Sequence, residues 1–202
     1  MSSRDYRLVT HWRVYGTAEE IFQVLDAPSE LPRWWPSVYL AVKELEPGEA
    51  NGVGREVALV TRGWLPYTLA WVLRVTRVRA PFELAIEAEG DLDGVGTWTL
   101  EPAGAWTWVT FEWIVTARKP LLRALAPVLS PALAANHRWA MARGEESLAL
   151  ELARRRAADA SARERVPVPP APARASGVIL AGVAAGVFAL AAGVVRGRRR
   201  RA

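Results

Sequence analysis

Residues 130–156 read SPALAANHRWAMARGEESLALELARRR. Ser130 suits a helix N-cap, and Pro131 suits the first helical position, where its missing N–H would be unpaired in any case. No further proline interrupts the turns that follow. At roughly 100° per residue, Leu133, His137, Ala140, Met141, Gly144, Leu148 and Leu152 fall in one sector. The stretch therefore predicts one long amphipathic helix, Ser130 to Arg156, with a single face to bury. That face carries an imidazole and a glycine where a plain core helix would carry aliphatics, so something must lie against them. Arg154, Arg155 and Arg156 close the helix at the negative end of its dipole.

The covering surface must come from the preceding residues. Asp5–Tyr15 reads as a strand, with Leu8, Trp12 and Val14 on one face and Arg7, Val9, His11 and Arg13 on the other. Thr17 then caps a short helix, AEEIFQVL, with Glu20 in the capping-box position. Pro28 and Ser29 open a second helical turn that ends in Arg33, Trp34, Trp35 and Pro36. Two adjacent indoles there cannot both be buried on one helical face.

After Pro36 the pattern alternates. Strands are expected at 38–46, 55–64, 67–79, 82–90, 95–102 and 106–117, separated by Pro47-Gly48, Gly52-Val53-Gly54, Pro66, Pro81, Asp93-Gly94 and Ala103-Gly104. Links this short imply antiparallel hairpins, because a parallel pair needs a crossover of about a dozen residues or more. One parity is apolar: Leu69, Trp71, Leu73 and Val75; Phe82, Leu84, Ile86 and Ala88; Trp98 and Leu100; Val109, Phe111, Trp113 and Val115. The other parity mixes Thr, Arg and Glu, so the sheet should have one buried and one wetter face. An α+β arrangement follows, in which a curved antiparallel sheet of about seven strands wraps the long helix.

The order of elements, the Trp-Trp-Pro step, the hairpin Gly90–Leu100 and the segment from Lys119-Pro120 through Asn136-His137-Arg138-Trp139 resemble the START-like superfamily. This superfamily, also called SRPBCC, includes polyketide cyclases, dehydratases and lipid carriers. The resemblance covers about residues 5–157 and implies a helix-grip fold whose sheet and long helix enclose a hydrophobic pocket. It leaves the reaction open, since one fold hosts many chemistries.

Charge divides along the chain of 202 residues. Residues 1–157 carry 18 Lys and Arg against 19 Asp and Glu, whereas residues 158–202 carry 8 Arg against 2 acids. The high overall pI is therefore no sign of nucleic-acid binding by the folded part. Cysteine is absent, which excludes disulfides and every thiolate site. The N-terminus lacks an apolar stretch typical of a cleavable signal.

Residues 158–176, with Pro167, Pro169, Pro170 and Pro172, read as an extended linker. Val178–Val195 is 18 residues without a polar side chain, followed by Arg196, Gly197 and Arg198–Arg201. At about 1.5 Å per residue such a helix covers roughly 27 Å of hydrocarbon, and residues 177–195 are read as a single C-terminal transmembrane anchor. A buried helix is the alternative, since six of the 18 are Ala and three are Gly. Arg196, Arg198, Arg199, Arg200 and Arg201 would meet anionic headgroups, and Gly182 with Gly186 would permit a homodimer contact. The positive-inside rule would place the globular domain outside. Because no signal precedes it, a cytoplasmic domain is expected instead, its basic tail translocated or held at the headgroups.

Candidate chemistry is sparse. His137 lies on the buried helix face, where it is either a core histidine bonded to Asn136 or a strand, or a catalytic acid or base. Trp34, Trp35, Tyr39, Trp71, Trp98, Phe111 and Trp113, with Met141 and Gly144 beside His137, are the candidate ligand-binding residues; Trp64 and Tyr67 add to the aromatic surface. Trp64, Leu65 and Pro66 form a turn able to dip into a membrane interface. Arg13, Glu101 and Glu112 belong to the wet face. With His11 and His137 the only histidines, no metal site is expected, and no cofactor either. The glycines of Gly52-Val53-Gly54 and Gly94-Val95-Gly96 are read as turn glycines. The favoured function is membrane-tethered binding or transport of a hydrophobic small molecule or lipid. The alternative is a polyketide cyclase or dehydratase-like enzyme.

Overall fold

Strands joined by short links pair antiparallel with their neighbours in the chain, and the first strand, joined to the second by a longer connection, pairs instead with the last. In the computed structural model, which describes residues 6–117 and 120–173, the strands are β1 (Tyr6–Tyr15), β2 (Tyr39–Glu46), β3 (Glu56–Thr61), β4 (Leu69–Arg79), β5 (Glu83–Gly90), β6 (Leu92–Ala103) and β7 (Trp106–Ala117). They form one antiparallel sheet in the order β1-β7-β6-β5-β4-β3-β2. Between β1 and β2 lie α1 (Ala18–Leu25), a single 3-10 turn at Pro28–Glu30, and α2 (Leu31–Trp34). The helices α3 (Pro120–Arg156) and α4 (Ala160–Glu164) follow the sheet.

α1 begins as its sequence dictates. The Thr17 hydroxyl accepts from the Glu20 backbone N–H, and the Glu20 carboxylate accepts from the Thr17 N–H, completing a capping box. α2 ends at Trp34, and Trp35 leaves the helical conformation with φ −125° and ψ 53°. Both indoles are then buried without sharing a helical face.

Four expectations need correction. α3 starts at Pro120, ten residues before Ser130, and runs through Pro131. The intervening Leu121-Leu122-Arg123-Ala124-Leu125-Ala126 is rich in strong helix formers, which a reading anchored on proline underweights. Gly94 and Gly96 are not turn residues: β6 already runs through both, paired with Val115 and Trp113. A Cβ on Gly96 would stand 2.7 Å from Cε3 of Trp113, so the glycine gives that indole its room on the inner face. Phe82 just precedes β5 and is half exposed, since inward parity holds only within the ladder. Finally, β3 is buried along its whole length. Ala58 of its outward face stands between Lys43 and Val72, longer side chains on either side, so that face of the sheet is not uniformly wet.

The apolar face of α3 packs inside the curved sheet, and its Met141, Leu148 and Leu152 are buried in the same continuous core as Trp12, Trp98, Val109 and Phe111. A carboxylate secures the far end of the helix. Glu151 is 1% exposed and receives both guanidinium nitrogens of Arg33 from α2 at 2.7 Å, and Nε of Arg155 at 2.7 Å. Glu30 bridges the same two arginines at 2.8 and 2.6 Å.

The expected linker does not simply leave the domain. Asp159 caps α4, and the chain then returns to the folded body. Arg154 donates to the carbonyls of Val166 and Pro167, and Arg62 donates to that of Ala173. The anchor at 177–195, its Gly182 and Gly186, and the arginines at 196–201 lie outside the described residues. Among the described residues no helix is long and apolar enough to cross a membrane.

Candidate ligand-binding site

The space left between the inner sheet face, α2 and α3 is a cavity of about 220 Å³. Inward residues of β4 to β7 form its floor: Leu69, Trp71, Leu73, Val75, Leu84, Ile86, Leu92, Trp98, Phe111, Trp113 and Val115. Leu31, Trp34, Trp35, Val38 and Tyr39 close one side, and Leu133, Ala134, Asn136, His137, Ala140 and Met141 of α3 close another. Period-two alternation on the strands and the helical sector on α3 aim these side chains at one another.

Nine of the ten residues expected at a ligand site line this cavity: Trp34, Trp35, Tyr39, Trp71, Trp98, Phe111, Trp113, His137 and Met141. Gly144 does not. A Cβ there would come within 2.3 Å of Cζ2 of Trp35, so the glycine makes room for an indole and not for a ligand. The rings form a chain of contacts running Tyr39, Trp35, Trp12, Trp98, Phe111, Trp113, Trp71, with successive centroids 4.2–6.0 Å apart. Such tilted and stacked pairs stiffen the wall as well as supplying apolar area. Tyr67 lines the cavity, whereas Trp64 is 44% exposed on the β3–β4 loop.

Polar groups of the lining are few and mostly engaged. His137 Nε2 lies 3.3 Å from the Thr10 hydroxyl of β1. Burial, and secondarily the nearby Arg138 charge, lower its pKa to about 4, so the imidazole is neutral at ordinary pH. Asn136 accepts from the Leu65 N–H at 3.2 Å and ties the β3–β4 loop to α3. Trp71 donates its indole N–H to Thr61 at 3.0 Å. Asp26, raised by burial, is paired with Arg55 at 3.1 Å. Burial also raises the phenols of Tyr39 and Tyr67, which therefore remain protonated.

Sequence reasoning missed Arg62, Arg55 and Asp26 as cavity residues. Arg62 falls on the outward parity of β3, with Glu56, Ala58 and Val60, but β3 ends at Thr61, one residue before it. Parity no longer governs it. Asp26 and Arg55 lie at the ends of α1 and β3, where period gives no direction either. The charged residues assigned to the wet face are there: Arg13 lies over Trp106 at 4.4 Å, Glu112 pairs with the exposed Arg7 at 2.7 Å, and Glu101 is exposed.

No protein-family model and no curated protein matches the sequence. Similar solved structures do exist. The TTHA0849 protein of Thermus thermophilus aligns with a TM-score of 0.59 at 14% identity, over 71% of this chain and 97% of its own. A START superfamily protein of Mycobacterium smegmatis aligns at 0.50 and 15% identity, over 66% and 96% of the two chains. The Ms6760 protein of the same organism aligns at 0.50 and 16%, over 72% and 90%. At these identities the likeness is one of fold.

Proposed function

Because the chain has the START-like, helix-grip fold, we propose that it binds a hydrophobic small molecule or lipid between the sheet and α3 and is held at a bilayer by residues 177–195. The observation that carries the binding reading is the cavity: an aromatic and aliphatic enclosure whose polar groups are largely neutral or paired within the protein. Such a lining favours transfer of apolar surface out of water, at about 25 cal/mol per Å². A tether would raise the domain's concentration near membrane-dissolved cargo without any new contact.

The test is native extraction and mass spectrometry of co-purified small molecules, comparing the natural chain with Ala140→Phe, which adds bulk on the cavity wall. A hydrophobic molecule should accompany the natural chain and be depleted in the variant. Its absence from the first, or equal amounts in both, would overturn the binding reading.

A second reading rests on His137, a neutral imidazole among the lining residues. In it the protein is a cyclase or dehydratase-like enzyme with His137 as acid or base. It ranks second because, among the described residues, the hydrogen-bond partner of the imidazole is the Thr10 hydroxyl, and no carboxylate orients the ring. Unchanged turnover in His137→Ala would remove it.

A further inference from the structure

The cavity holds a cation whose charge the fold does not balance. Arg62 is 5% exposed and belongs to the lining, at the point where β3 gives way to the loop carrying Gly63 and Tyr67. Among the described residues its guanidinium meets the carbonyl of Ala173 and no carboxylate. The other charged pair of the lining, Asp26 and Arg55, is matched within itself. One positive charge is therefore left over in a mainly apolar enclosure.

A buried charge is costly unless it is paired and hydrogen-bonded. Five N–H donors in a planar fork suit an oxygen acceptor better than any other partner. A second observation has the same sign. Trp34 and Trp35 both line the cavity, and their indole N–H groups are buried with no acceptor among the described residues. An indole nitrogen can only donate. The fully buried polar atoms of the lining left without a partner are thus donors, and the Tyr39 and Tyr67 hydroxyls beside them can donate as well as accept.

We infer that the cargo is amphipathic, with an apolar body among the aromatic rings and an acceptor-only oxygen head, most strongly a carboxylate, held at Arg62. This rests on the cavity being a binding site, and it narrows the ligand class: cationic and donor-headed lipids are disfavoured. The Ala173 carbonyl uses part of the guanidinium, and the remaining donors face the head group.

The experiment uses the full chain in detergent, stripped of co-purified lipid, and native mass spectrometry with dodecanoic acid, methyl dodecanoate and dodecylamine as probes of equal chain length. The acid should bind tightest, the ester next and the amine about tenfold or more below the acid, the factor expected of one charge-assisted hydrogen bond. Arg62→Met should bring acid and amine to within a few-fold of each other while the ester still binds, which shows that the variant is folded. Arg62→Lys should retain part of the preference. An amine that binds as well as the acid, or an acid preference that survives in Arg62→Met, would overturn the inference. If the acid exceeds the amine but the ester fails to bind, the head is an anion specifically, which supports it. Failure of all three probes would instead strike the binding reading beneath it, and the inference with it.

Discussion

At Gly144 two local effects oppose each other, and their magnitudes decide the outcome. Alanine would gain about 1 kcal/mol of helix propensity over glycine. Its Cβ, however, would stand 2.3 Å from the ring of Trp35, which is itself held by Trp12, Trp34 and Tyr39. Overpacking of this kind costs about 1–3 kcal/mol, so Gly144→Ala should be destabilising on balance and should lower the urea midpoint. A raised midpoint would show that the indole yields. His137 offers a second test at this scale. Its pKa is about 4 in the folded chain against 6.5 for the free side chain, so the unfolded chain takes up the proton first as pH falls. Its contribution to stability is therefore complete above about pH 6.5, declines between there and about pH 4, and is constant below. Urea midpoints of the natural chain should fall more between about pH 7 and about pH 5 than those of His137→Asn. Parallel losses would show that the imidazole is not desolvated. The sequence placed His137 on the buried helix face correctly, because helical period depends only on spacing. It assigned Gly144 to a ligand because the occupant of that space, Trp35, comes from residues more than a hundred positions away.

Between elements, the junction of α2 with the end of α3 rests on Glu151. Helical period puts this residue beside the apolar sector of α3, and nothing in its own stretch marks it as buried. Arg33 reaches it from α2 and Arg155 from the next turn of α3, and these hydrogen bonds hold its carboxyl below the usual range against the cost of burial. Glu151→Ala would strip one acid from two arginines whose side chains are 52% and 33% exposed. Since both can recover hydration, the expected loss is about 2–3 kcal/mol, below the range for fully buried pairs. Chemical denaturation measures it, and a change within about 0.5 kcal/mol would place the pair with ordinary surface bridges. The strands themselves were largely legible. Their apolar parity and punctuating turns depend on neighbours one or two residues apart, and the observed register follows them. Parity failed where a ladder stopped: at Phe82, just outside β5, and at Arg62, just past β3.

For the whole molecule, the membrane part of the proposal rests on the C-terminal residues. Val178, where the apolar stretch begins, follows Ala173 by five residues in the sequence, and the Ala173 carbonyl accepts from Arg62. A chain anchored through that stretch would keep the cavity residue Arg62 close to the bilayer. Deleting residues 177–202 should move the protein from the membrane fraction to the soluble fraction with its thermal transition unchanged. Retention in the membrane would remove the anchor from the proposal. Element order, antiparallel pairing and the buried face of the long helix could be read from residue order, because capping, alternation and helical period are properties of short segments. The composition of the cavity's polar groups was decided only by tertiary structure. Asp26, Arg55 and Arg62 sit just beyond the ends of regular elements, so their tertiary surroundings, and not any period in the sequence, determine which way each of them points.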